Sequence, residues 1–263
     1  MMNDQARSSE PDQIERNQSN EGVDESDAAK GYSIQQQIAL CCRILARQDH
    51  TIALAGQISV KADAPGHYWT TSRDAGFDMT TASSILLIDE EMNVIEGNGK
   101  PNPAIGFHFW VYSRRHDLRA VVHTHPPHAA ALGMRGEPLV AAHMDSAMFY
   151  EDCAFLEDWP GVPLSDEEGR IISGALGDAN SILLAHHGIL TGGADLAHAI
   201  YLAVMLEHAS RLQILAGGAD HIVPINADLA RDARSFLIKQ PIIDATVKYW
   251  MASILRSNRD ALE

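Results

Sequence analysis

The sequence predicts a single α/β domain behind an acidic N-terminal tail. Apolar segments of period two alternate with segments of helical period, and 263 residues suffice for one large core. The balance of 46% hydrophobic to 21% charged residues is that of a globular chain. Residues 1–29 differ: eight acids face Arg7 and Arg16, Asn, Gln and Ser fill most of the rest, and aliphatics are nearly absent. Such a segment cannot bury enough apolar surface to fold and is expected to be disordered, a docking arm being the functional alternative.

Order is expected from Ser33. Ser33 and Gln36 form a capping-box pair, and Ile34, Ile38, Cys41, Cys42 and Leu45 follow at helical spacing. The adjacent cysteines therefore read as core packing, with no activating partner nearby. Residues 52–60, 68–71 and 85–88 read as strands, with another over 93–96 after the turn Asp89-Glu90-Glu91. Helices are predicted over 105–115 and 126–133, flanking a short buried strand, 119–124, that ends in histidine. A second capping pair, Ser165 with Glu168, opens a helix to about Leu176, and residues 181–188 form another buried strand ending in histidine. The longest amphipathic helix covers 195–216, with Leu196, Ala199, Ile200, Ala203, Val204 and Leu212 on one side, and a final helix runs over about 242–255. No internal repeat, GxGxxG or phosphate-loop pattern is present, so nucleotide folds have no support.

A formal charge of −15 repels phosphate backbones, which disfavours nucleic acid as a partner. No window approaches the roughly 18 to 20 consecutive apolar residues of a membrane span, and the N-terminus lacks a secretion signal. Cys41, Cys42 and Cys153 cannot make a disulfide framework, so a reducing cytoplasm is the expected location. They also lack CxxC spacing, which leaves histidine and carboxylate to build any metal site.

The chain has 13 histidines, and two apolar runs end in clusters of them. In Val121-Val122-His123-Thr124-His125, strand residues two apart share a side, so His123 and His125 can bind one ion together. In Leu183-Leu184-Ala185-His186-His187-Gly188 the two histidines point to opposite faces, and one of them can join the same site. Three imidazoles leave a metal with open positions, the arrangement of a catalytic rather than a structural centre.

These motifs resemble the class II aldolase/adducin family. The resemblance is carried by His123-Thr-His125-Pro-Pro-His128, by Leu183-Leu-Ala-His-His187-Gly188 and by Lys100-Pro-Asn-Pro-Ala-Ile-Gly-Phe-His108, and extends over about residues 32–216. It implies a three-layer α/β/α domain over 30–263 around a mostly antiparallel central sheet. It further implies homotetramers with active sites at subunit interfaces, and one divalent ion per subunit, zinc, manganese or iron, held by three histidines. By that resemblance His123 and His125 match the first two ligands, and His187, immediately before Gly188, the third. His186 falls where many members have asparagine and, like His108 and His128, is expected to be structural or to orient the ligands.

Two departures bear on the chemistry. Sugar-phosphate aldolases of the family carry Pro-Ser-Ser-Glu followed by four residues ending in His, and that Glu transfers the proton. Anchoring on Pro101 and His108 places Ala104 there, and alanine can neither ligate nor carry a proton. Asp145, Glu151 and Asp152 are the nearest replacements, Asp145 following the unusual His143-Met144 segment, and His143 is the candidate pocket histidine for moving protons. The family's phosphate-binding turns are altered as well, to Ala55-Gly56-Gln57-Ile58-Ser59 and Thr70-Thr71-Ser72-Arg73-Asp74. Gln57 and Ser72 can still donate hydrogen bonds, while Arg73 suits a carboxylate. Phe107, Phe109, Trp110, Phe149, Tyr150 and Trp159 could line an apolar pocket.

The expected function is a divalent-metal-dependent lyase that cleaves a C–C bond next to a carbonyl or carboxylate. Its small-molecule substrate is expected to be a keto-acid or aromatic carboxylate rather than a sugar phosphate. The alternative is an Fe(II)-dependent non-haem oxygenase performing oxidative decarboxylation of an aromatic keto-acid. A remote alternative, a non-enzymatic interaction protein like the adducins, fits poorly with three matching histidines.

Overall fold

The computed structural model describes residues 28, 30–161, 166–217 and 222–263. The first helix, α1 (Ile34–Arg47), has the expected capping box: Gln36 N donates to Ser33 Oγ at 3.3 Å and Ser33 N to Gln36 Oε1 at 3.1 Å. Cys41 and Cys42 are fully buried on it, and burial pushes the Cys42 thiol up to about 12, so both are packing groups. Strands β1 (Gln57–Lys61), β2 (His67–Thr71), β3 (Ile85–Asp89) and β4 (Val94–Glu96) follow. A single 3-10 turn, Pro103–Ile105, capped by Asn102, leads into α2 (Gly106–Arg114). Then come β5 (Ala120–Thr124), α3 (Pro127–Met134), a 3-10 segment over Met144–Phe149, β6 (Cys153–Leu156) and α4 (Asp166–Leu176). The chain ends with β7 (Ser181–Leu184), β8 (Ile189–Gly193), α5 (Leu196–Leu215), α6 (Ala227–Leu237) and α7 (Gln240–Leu255).

The eight strands form one sheet in the order β4-β3-β2-β1-β5-β8-β7-β6. Every neighbouring pair is antiparallel except β6 and β7. Strand side chains alternate faces and feed two separate cores. Ile58, Val60, Ala120, Val122, Leu183 and Ile189 pack under α1, α3, α5 and α7; Val121, Ile182, Leu184 and Leu190 pack under α2 and α4. The domain is thus the expected three-layer α/β/α arrangement. No helix among the described residues is long and apolar enough to cross a membrane.

Three expectations need correction. The strand foreseen over 52–60 begins only at Gln57: residues 51–56 turn, with Ala53 at φ +51° and Ile52 and Leu54 exposed. The strand foreseen over 181–188 stops at Leu184. There the chain reverses, Leu184 N donating to Gly188 O at 2.8 Å and His187 N to Leu184 O at 3.1 Å, and returns as β8. The histidine pair therefore occupies a hairpin turn. Strands β6 and β8 and helix α6 lie where no element was foreseen. Ser165 of the second capping pair and nearly all of the tail fall outside the described residues.

Candidate metal centre

The site is built at the end of β5. Because Val121 faces the α2 layer, His123, two residues on, faces it too. Its Nδ1 lies 2.7 Å from the carbonyl oxygen of Ile189 on β8, and a carbonyl can only accept, so the proton sits on Nδ1 and the Nε2 lone pair is free. Phe107 of α2 meets the His123 ring edge-on at 5.0 Å and fixes its plane. His125 continues in extended form past the strand, and its Nε2 lies 2.9 Å from Nε2 of His123.

His187 arrives from the β7–β8 turn, with ring centroids 4.7 Å from His123 and 4.8 Å from His125. Gly188 permits that approach: a Cβ there would stand 2.3 Å from Thr124 O and 2.6 Å from His125 Cδ2. His186 takes φ +59° and turns outward, exposed.

One nitrogen from each of His123, His125 and His187 can be chosen so that all lie within 4.8 Å of one another. Burial and mutual repulsion keep the rings neutral. His123 is held far below the ordinary imidazole range, first by burial and then by His187 and His125. His187 is pushed down to about 4 by burial and by His125. Nδ1 of His187 is buried and has no hydrogen-bond partner among the described residues. Converging imidazole lone pairs and an orphaned buried nitrogen are what a divalent cation would satisfy, so the donor set fits one.

The surroundings show which other candidates gather here. Gln57 on β1 is the cross-strand partner of His123, buried, with its Oε1 unpartnered among the described residues. Ser72 follows β2, the next strand over, and its hydroxyl donates to Asp74 Oδ2 at 3.1 Å. Arg73 is exposed beside it, its backbone tied to Lys100 O. Ala104 is buried in the turn before α2, and His108 lies one helical turn further on.

His143 and Asp145 are not brought to the three rings by any contact among the described residues. His143 caps the 3-10 segment over Met144–Phe149, accepting from Asp145 N at 3.2 Å, and the Asp145 carboxylate bonds His208 Nε2 on α5 at 3.0 Å. Glu151 and Asp152 are committed to α6, pairing with Arg231 at 3.0 Å and Arg234 at 2.8 Å. Of the aromatic candidates, Phe107 touches a ring of the trio. Phe109 packs at a tilt against Tyr68, Trp110 packs on Gly169, Phe149 joins the core, Tyr150 lies under Arg231, and Trp159 is exposed.

One positioning residue was not visible in the sequence. The Glu207 carboxylate on α5 accepts from His128 N at 3.0 Å and Ala129 N at 2.9 Å, and bonds His128 Nδ1 at 2.6 Å. It thereby caps α3 directly after His125-Pro126-Pro127, where the prolines supply no N–H of their own. Only its distance from His128 in the sequence hides it.

The comparisons agree with this architecture. Residues 36–214 match the class II aldolase and adducin N-terminal domain, and the chain belongs to that family. It is 31% identical over 183 residues to the 4-hydroxy-3-prenylphenylpyruvate oxygenase/4-hydroxy-3-prenylbenzoate synthase of Streptomyces roseochromogenus subsp. oscitans, which covers 68% of this chain and 65% of that protein. It is equally 31% identical to Decarboxylase NovR of Streptomyces niveus, over 68% of this chain and 67% of that one. The match thus spans about two thirds of either relative. Among solved structures, the L-fuculose 1-phosphate aldolase from Glaciozyma antarctica PI12 superposes with a TM-score of 0.79 at 25% identity, over 88% of this chain and 92% of that one.

Proposed function

We propose that the protein is a divalent-metal-dependent lyase that cleaves a C–C bond next to a carbonyl or carboxylate, acting on a keto-acid or aromatic carboxylate. The observation that carries this is the convergence of one ring nitrogen from each of His123, His125 and His187, with Nε2 of His123 and of His125 2.9 Å apart and Nδ1 of His187 buried without a partner among the described residues. A bound ion would supply a Lewis acid that polarises the substrate carbonyl and stabilises the enolate left when an aldehyde or carbon dioxide departs from the carbon adjacent to that carbonyl. His123, fixed by Ile189 and Phe107, would present its Nε2 to that ion in a fixed direction. Gln57 would contact the substrate beside it, and Arg73 would take a carboxylate at the rim, the Ser72 hydroxyl being engaged with Asp74. Loss of carbon dioxide needs no base to deprotonate a substrate hydroxyl, which suits Ala104 in the place of the aldolases' Glu.

A second possibility has its own support. Without a carboxylate at position 104, three histidines leave one face of an iron ion open, and one relative is by name an oxygenase.

Elemental analysis of the full chain purified without oxygen or chelator, beside His187→Ala, tests both. About one equivalent of zinc or manganese, lost in the variant, supports the lyase; iron moves the oxygenase to first place. No metal in either protein would sink both.

A further inference from the structure

His108 is completely buried, yet half of its hydrogen-bonding capacity is unused. Its Nδ1 lies 2.8 Å from Ser59 Oγ, whereas its Nε2 has no partner among the described residues. Counting protons fixes the tautomer. Three short contacts run in series: Tyr112 OH to Ser59 O at 2.9 Å, Ser59 Oγ to Tyr112 OH at 2.9 Å, and His108 Nδ1 to Ser59 Oγ. Each needs one hydrogen, and the Tyr112 and Ser59 hydroxyls supply only two. Tyr112 donates to the Ser59 carbonyl, Ser59 donates to Tyr112, and the third hydrogen must sit on Nδ1 of His108. Its Nε2 is therefore a bare lone pair. Burial, which pushes this imidazole down to about 3, keeps it so at ordinary pH.

The lone pair belongs to the neighbourhood of the candidate centre. Phe107 contacts both rings, with centroids 4.6 Å from His108 and 5.0 Å from His123. Ser59, which holds His108, is two residues along β1 from Gln57, the cross-strand partner of His123, and so shares its face. Gln57 Oε1 is also buried and unpartnered among the described residues. Two buried acceptors near His123, with no donor for either among the described residues, are costly to leave unmet. Ala104, one turn before His108, brings no polar group to them.

We infer that His108 Nε2 accepts a hydrogen bond from a hydroxyl of the substrate, so that the site selects a hydroxylated acid over its unsubstituted analogue. This deepens the proposed function and rests on the acid substrate class given there. The contact is for recognition: no bond is made or broken at His108.

Two measurements test it. Neutron diffraction from the deuterated full chain should find deuterium on Nδ1 and none on Nε2 of His108; deuterium on Nε2 overturns the inference with no ligand involved. Calorimetry on the zinc-loaded full chain should then compare 4-hydroxyphenylpyruvate with phenylpyruvate, and 3-phenyllactate with 3-phenylpropionate. In at least one pair the hydroxylated acid is expected to bind about 5- to 10-fold tighter. His108→Phe should erase that preference at unchanged zinc content, and His108→Gln, which keeps an acceptor, should retain part of it. A preference that survives His108→Phe, or none in the unaltered protein, overturns the inference while leaving the acid substrate class standing. Failure of all four acids to bind the unaltered protein instead overturns the substrate class and the inference with it.

Discussion

Nε2 of His123 and Nε2 of His125 face one another at 2.9 Å, while Nδ1 of His123 is already spent on the Ile189 carbonyl. Two neutral imidazoles can hold that geometry only with a proton or a cation between them. The proton must come from His125, and it does nothing for the third ring.

Metal removal should therefore be felt in stability. A ligand present at 100 times its dissociation constant adds about 2.7 kcal/mol to the folded state. Chelation should lower the Tm of the native protein by several degrees and leave that of His125→Ala unmoved. Equal shifts in the two proteins would show that the ion binds elsewhere.

Gly188→Ala should separate the fold from the site. The new Cβ would meet the Thr124 carbonyl and the His125 ring, so the turn carrying His187 has to move away from β5. Circular dichroism close to native with metal content well below one equivalent is expected. Full metal content would mean that the turn gives way without displacing His187.

Asp152 and Glu151 are neighbours with opposite expectations. Asp152 is buried, pairs with the half-buried Arg234 and accepts from Asn180 N at 2.9 Å, so Asp152→Ala leaves both donors without their acceptor and should cost about 1–3 kcal/mol in denaturant titrations. Glu151 pairs with Arg231 in solvent, and Glu151→Gln should leave the midpoint in place. An Asp152→Ala protein of native stability without activity would instead restore Asp152 as a candidate catalytic group.

Glu168 gives the stability a pH dependence. Both of its oxygens are buried without a partner among the described residues, and burial pushes its carboxyl up from 4.5 to about 7. A proton held more tightly in the folded state stabilises that state fully below pH 4.5, and the contribution is lost as pH rises through about 7. Glu168→Gln, which carries no charge at any pH, should match the native protein at pH 4 in thermal melts and exceed it at about pH 8. A parallel offset at both pH values would assign the effect to packing.

Much of this site is legible in the sequence because its first half obeys a strand's period. His123 and His125 share a side by the same rule that sorts Ala120, Val121 and Val122 between the two cores. His187 joins them from a turn, where strand alternation has no force, so the pattern alone left His186 and His187 open. Strand β8 escaped notice because Gly192 and Gly193 imitate a turn; they are glycines since a Cβ at either would stand 2.5 Å from Leu118 or from the start of α5. Helix α6 is amphipathic, but it buries only Ala230 and leaves Leu229 and Phe236 exposed. The sequence offers His143 and Asp145 as proton-moving groups; in the fold His143 caps the Met144–Phe149 segment and Asp145 bonds His208, and no contact among the described residues ties either to the rings.

The hydrogen-bond acceptor behind His123 is a peptide carbonyl, and no carboxylate among the described residues contacts any of the three rings. A dication seated among uncharged donors would keep its full two positive charges, against a chain whose formal total is −15. The attraction for an incoming anion would then be concentrated at the centre and at Arg73 on its rim, and a carboxylate would be drawn there by the electrostatic contrast with the rest of the surface.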